Sequence, residues 1–140
     1  MIRNHEFDDW LIAMDNKLEQ LFDEVPGSVA RRLDYSPESL SALESWLLEN
    51  FTPSGWARTE NKRLLDRVTC YVGETFRKSL GGKWTIDKSD GTGVFFGVPV
   101  IVKPGHAPEC PLSLVTAAID RRAGNYMEAV LRSMQSERGV

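Results

Sequence analysis

Tyr71-Val72-Gly73-Glu74-Thr75-Phe76-Arg77-Lys78-Ser79-Leu80-Gly81-Gly82-Lys83-Trp84 decides how this chain folds. Val72, Phe76 and Leu80 recur at four-residue steps and close an amphipathic helix. Gly81-Gly82 supply the left-handed residues that stop it. Lys83-Trp84-Thr85-Ile86-Asp87 then alternates polar and apolar, as a half-buried strand does. A helix-to-strand junction at mid-chain implies an α+β protein.

Upstream, the helix that ends at Leu80 begins near Arg58, with Leu64, Leu65 and Val68 extending its apolar face. Gly73 sits in its interior at a cost of about 1 kcal/mol relative to alanine, which signals close approach of another element. Two more helices precede it. The first runs from about His5 to Glu24 on Phe7, Trp10, Leu11, Met14, Leu18, Leu21 and Phe22, and stops at Pro26-Gly27. The stretch from Ser28 to Tyr35 reads as a helical turn or a connector. Ser36-Pro37-Glu38 opens the second as N-cap, first-turn proline and first-turn acid, with Leu40, Leu43, Leu47 and Phe51 as its stripe and Trp46 at the margin.

Downstream, Lys83–Lys88 and Val94–Lys103 flank Ser89-Asp90-Gly91-Thr92-Gly93, a hairpin signal. Val94, Phe96, Val98, Val100 and Val102 are expected on one face. Pro99 interrupts this run, so the antiparallel sheet has two or three strands. The segment from Pro104 to Pro111 is a loop. A fourth helix follows on Leu112, Val115 and Ile119, and a fifth on Met127, Val130, Leu131 and Met134, capped by Asn125 after Gly124. The expected layout is three N-terminal helices, a small sheet and two C-terminal helices in one domain over residues 1–140.

A chain of 140 residues can bury about 70% of its unfolded surface, so neither disulfide nor metal is required for folding. The net charge of −3 argues against a protein built to neutralise phosphates, and no nucleic-acid partner is expected. The N-terminus lacks the basic start and apolar run of a secretory signal, and no apolar run approaches the ~18 residues of a bilayer span. A cytoplasmic protein with reduced Cys70 and Cys110 is the expectation.

No residue pattern specifies a catalytic chemistry. His106, Glu109 and Cys110 cluster in one loop, but His5 and Cys70 are the sole other histidine and cysteine, too few at useful spacing for a zinc site. Cys70 has Asp66 and Glu74 as helical neighbours, which raise a thiol pKa. Asp90-Gly91-Thr92-Gly93 enters a strand, whereas a phosphate cradle opens a helix. No catalytic residue, metal or cofactor is therefore expected, and the chain reads as a non-enzyme.

The polar row Arg63, Arg67, Tyr71, Glu74 and Lys78 lies beside the apolar face of the third helix. It is a solvated, salt-bridged face or a recognition surface with Tyr71 as its anchor. Trp56, in the Thr52–Trp56 loop before that helix, folds back over the core or joins this candidate surface. A short sheet with an open edge also suggests a homodimer formed by strand pairing.

Ser36-Pro37-Glu38-Ser39-Leu40, Tyr71-Val72-Gly73-Glu74, Leu80-Gly81-Gly82-Lys83-Trp84 and Pro99-Val100-Ile101 together resemble a group of small bacterial domains of unknown function, common in actinobacteria. Some similar domains accompany polymorphic-toxin systems as presumed immunity proteins. The resemblance covers about the middle half of the chain and implies a non-catalytic module that binds and occludes a protein partner. No site residue transfers with it. The alternative is a small-molecule-binding or regulatory domain with a pocket between the sheet and the third helix.

Overall fold

The computed structural model describes residues 4–86 and 98–138. At its centre stands α6 (Lys62–Leu80), buried at every position from Val68 through Phe76. A helix enclosed on that many sides is surrounded by other elements rather than laid on one face of a core. One apolar cluster around it runs from Phe7 to Leu131 and includes Leu21, Leu40, Leu43, Leu47, Tyr71, Phe76, Val115, Ile119 and Met127.

The α+β class holds, but the expected layout of three, sheet, two does not. Six α-helical segments precede the sheet among the described residues. The first expected helix divides into α1 (Asn4–Ile12) and α2 (Met14–Glu24), because Ala13 opens to φ −80°, ψ −4°. α1 then reaches α6, where the Trp10 indole donates to Asp66 at 2.8 Å and meets Trp84 edge-on with ring centroids 4.9 Å apart. The undecided stretch after Pro26 holds a single turn, α3 (Gly27–Ala30), and Tyr35 at φ +65° turns the chain into α4 (Pro37–Asn50). Ser36 caps α4 as its sequence requires, its Oγ accepting from the Ser39 N–H. The Thr52–Trp56 loop is also helical: α5 (Pro53–Trp56) is capped by Thr52. A 3₁₀ turn over Thr59–Asn61 leads into α6.

Gly81, at φ +73°, ends α6 and releases the chain into β1 (Lys83–Ile86). β1 pairs antiparallel with β2 (Pro99–Val102) in the register Lys83↔Val102, Trp84↔Ile101, Thr85↔Val100, Ile86↔Pro99. In that register Val100 and Val102 share one face with Thr85 and Lys83, as expected, while Pro99 and Ile101 share the other with Trp84 and Ile86. The Val94–Phe96 part of the second run, and with it the question of a third strand, falls outside the described residues.

The Trp84 indole covers Gly73: a Cβ built there would stand 2.0 Å from Trp84 Cη2 and 3.0 Å from Pro111 Cγ. The close approach expected of this glycine is thus made by β1 and by the start of α7 (Pro111–Arg121). α8 (Tyr126–Arg138) closes the fold against α4. Two charge contacts lock that closure. Buried Glu44 accepts from the Tyr126 and Met127 N–H groups at 2.9 and 3.0 Å, placing a carboxylate on the positive end of α8. Arg122, left-handed at φ +55°, donates to the Leu48 and Phe51 carbonyls at the end of α4 at 2.6 and 3.1 Å.

Candidate functional site: an apolar slot beside Glu109

The polar row on α6 does not form one surface. Tyr71 is fully buried. Its hydroxyl accepts from the Tyr35 N–H at 2.9 Å and donates to Ser39 Oγ at 2.7 Å, and its ring stacks on Tyr35 with centroids 4.9 Å apart. The recognition-anchor reading of Tyr71 is corrected accordingly: the side chain ties α6 to the α3–α4 connection. Burial pushes both tyrosine hydroxyls above the usual tyrosine pKa.

Glu74 is also buried, 9% exposed. It accepts two bonds from Arg77, at 2.7 and 2.9 Å, and one from the Trp84 indole at 2.8 Å. Burial alone raises its pKa, but these donors outweigh burial and the carboxyl ends below the usual glutamate range. The partner of Glu74 is therefore Arg77, three residues on. Lys78 lies over the Tyr35 ring at 4.9 Å. Arg67 pairs with Glu24 of α2, and Arg63 is exposed. Trp56 is 4% exposed and packs edge-on against Phe51, so it is no protruding anchor. Among the described residues its indole N–H has no hydrogen-bond partner.

The loop after β2 builds a different site. Ile101 and Glu109 exchange both backbone hydrogen bonds, 2.8 Å from the Ile101 N–H and 2.9 Å from the Glu109 N–H. This bridge occupies the outer edge of β2, where strand pairing with a second copy was expected. It also folds residues 103–109 back over the end of α6. Beneath them lies a small slot lined by Phe76, Leu80, Ile101 and Met134, with Lys103, His106 and Glu109 around it and a cavity volume of about 20 Å³. Outside the slot a shallower groove follows α8 past Tyr126, Ala129, Val130 and Ser133, and shares His106, Ala107, Glu109 and Met134 with it.

The charges around the slot are unequal in their satisfaction. Lys103 Nζ donates to the Leu80 carbonyl at 2.8 Å and so caps the negative end of α6. The half-buried Glu109 carboxylate has no such partner among the described residues; burial alone acts on it and holds its carboxyl above the usual glutamate value. An apolar concavity with a few convergent polar groups, one of them perturbed, is the usual form of a ligand site.

His106, Glu109 and Cys110 cluster in the sequence, where no metal was expected. Among the described residues no group of three His, Cys, Asp or Glu side chains is placed to hold a metal. Cys110 is buried at the start of α7, and Cys70 is buried on α6, its thiol pushed up to about 12 chiefly by burial, with Asp66 adding to it. Among the described residues no helix is long and apolar enough to cross a membrane. Comparison of the chain with protein-family models, with curated proteins and with solved structures finds no match.

Proposed function

We propose that this protein is a non-catalytic binding module that takes an apolar group into the slot between α6, β2 and α8. The observation that carries the reading is the slot itself: apolar walls from Phe76, Leu80, Ile101 and Met134, closed on one side by the Ile101–Glu109 bridge. The competing surface, the α6 row serving an immunity-like protein capture, loses its aromatic anchors Tyr71 and Trp56 to the core. Binding is favoured over catalysis because the His106 and Glu109 side chains share no hydrogen bond with each other or with a third orienting group among the described residues, whereas an acid–base or nucleophilic relay is built on such bonds.

Ethanol, a neutral two-carbon chain, tests the reading. In a titration of isotope-labelled protein its chemical-shift changes should concentrate on Ile101, Ala107 and Met134. Ala107→Trp fills the mouth from an exposed position and should abolish them without lowering the melting temperature. Changes scattered over the surface, or unaffected by the tryptophan, would refute the site.

A further inference from the structure

The slot and the groove along α8 meet at one partition. Both are lined by His106, Ala107 and Glu109 of the loop and by Met134 of α8. On the inner side the slot holds about 20 Å³, room for a water-sized group. On the outer side the groove holds about 480 Å³. The strap of residues 103–109 therefore sets how large the apolar site is.

Few bonds hold the strap down. Residues 104–108 are all exposed, so its middle buries no side chain in the core. Pro104 and Pro108 have no N–H to donate. Lys103 Nζ donates to the Leu80 carbonyl at 2.8 Å, and the His106 N–H donates to the Lys103 carbonyl at 3.1 Å within the strap. The remaining ties among the described residues are the two bonds exchanged by Ile101 and Glu109. A segment with exposed backbone bonds and little buried apolar area opens locally, below the free energy of global unfolding. Gly105, at φ +84°, lets the strap turn back on itself. A Cβ there would meet nothing within 4 Å, so backbone conformation alone ties the position to glycine.

We propose that residues 103–109 form a lid, closed in this structure, whose opening breaks the Ile101–Glu109 bridge and joins the slot to the groove as one apolar site. This inference rests on the slot being a binding site and adds how that site admits its ligand. A group small enough for the closed slot binds with the lid down. A longer chain selects the open state, a minor population of about 0.1–10%. Its apparent affinity is reduced by that fraction, so anything that loosens the lid strengthens the binding of long chains alone.

Hydrogen exchange reads the lid directly, because the Ile101 and Glu109 N–H groups each bond the other's carbonyl. Their protection should be about 10–1000-fold, well below that of Val72 and Phe76 at the buried centre of α6. Equal protection would overturn the proposal. Saturating hexan-1-ol, too long for the closed slot, should speed exchange at both amides, and ethanol should not. Gly105→Ala strains the closed lid at a left-handed position. Both amides should then exchange about fivefold faster and hexan-1-ol should bind about fivefold more tightly, with ethanol binding unchanged. Hexan-1-ol that misses the slot where ethanol reaches it, slows the exchange, or ignores the alanine would overturn the lid and leave the slot reading standing. Failure of both alcohols to shift Ile101, Ala107 or Met134 would overturn both. Should Gly105→Ala not fold, exchange on the unaltered protein with and without hexan-1-ol still decides it.

Discussion

Replacing Gly73 with alanine sets two effects of opposite sign against each other. Helix propensity favours alanine by about 1 kcal/mol in a helix interior. Against it stands the Trp84 ring, whose Cη2 and Cζ2 atoms would lie 2.0 and 2.2 Å from the new Cβ. The ring must move by more than an ångström, and it is not free to do so. Its N–H is bonded to Glu74 at 2.8 Å, its edge meets Trp10, and Pro111 closes the far side of Gly73. Overpacking of this kind costs about 1–3 kcal/mol. Losing a hydrogen bond to a charged, buried acceptor adds about 1.5–3 kcal/mol. The net expectation for Gly73→Ala is a destabilisation of about 3 kcal/mol, or roughly a 10 °C fall in Tm for a chain of this size. Urea melts followed by far-UV circular dichroism measure it without relying on tryptophan signals. A thermodynamic cycle isolates the cause: in a Trp84→Leu background the same change should cost nothing or stabilise by up to about 1 kcal/mol. A single variant that melts at or above the parent would refute the packing argument, because propensity alone would then govern the site.

Three further outcomes are expected. Glu44→Ala strips the α8 N-terminus of its buried carboxylate and should cost about 2–4 kcal/mol in a denaturant melt; a loss below about 0.5 kcal/mol would mean that water replaces it. Tyr71→Phe leaves the Tyr35 N–H and Ser39 hydroxyl without their partner and should cost about 1–2 kcal/mol, whereas a surface tyrosine would cost nothing measurable. Glu109 has its folded carboxyl raised above the unfolded value, so the folded state binds the extra proton and stability falls as pH rises through that window. Glu109→Gln should therefore melt higher than the parent at neutral pH, with the difference gone below about pH 4; a lower Tm at neutral pH would show that the carboxylate has a partner.

Much of the backbone was legible because its punctuation is local. Ser36-Pro37 starts α4 and Gly81 stops α6 for reasons contained within a few residues, and Gly73 announces a crowded neighbour through its own poor propensity. The sides of α6 were not legible. Thr69, Glu74 and Thr75 are polar and point to different sides of the helix, yet all three are buried, because α6 is enclosed by its neighbours. Tyr71 and Glu74 are polar residues satisfied inside the core, and their partners Ser39, Tyr35 and Trp84 lie 32, 36 and 10 residues away. Glu44 was hidden likewise, since a charge on a buried stripe makes sense only once α8 is docked. The 104–111 loop could be read, but the bridge that positions Glu109 is tertiary, and no spacing rule reports it.

The contact between Glu44 and α8 also bears on how the chain is made. The carboxylate lies in the first half of the sequence, and the two N–H groups that satisfy it lie 82 and 83 residues later. During synthesis α4 leaves the ribosome with a charge on the very face that must become dry. Among the described residues no donor upstream of α8 bonds that carboxylate. Leu40, Leu43 and Leu47 share their side of the helix with it. Burying that face before α8 is present would leave a polar group without donors, which costs free energy.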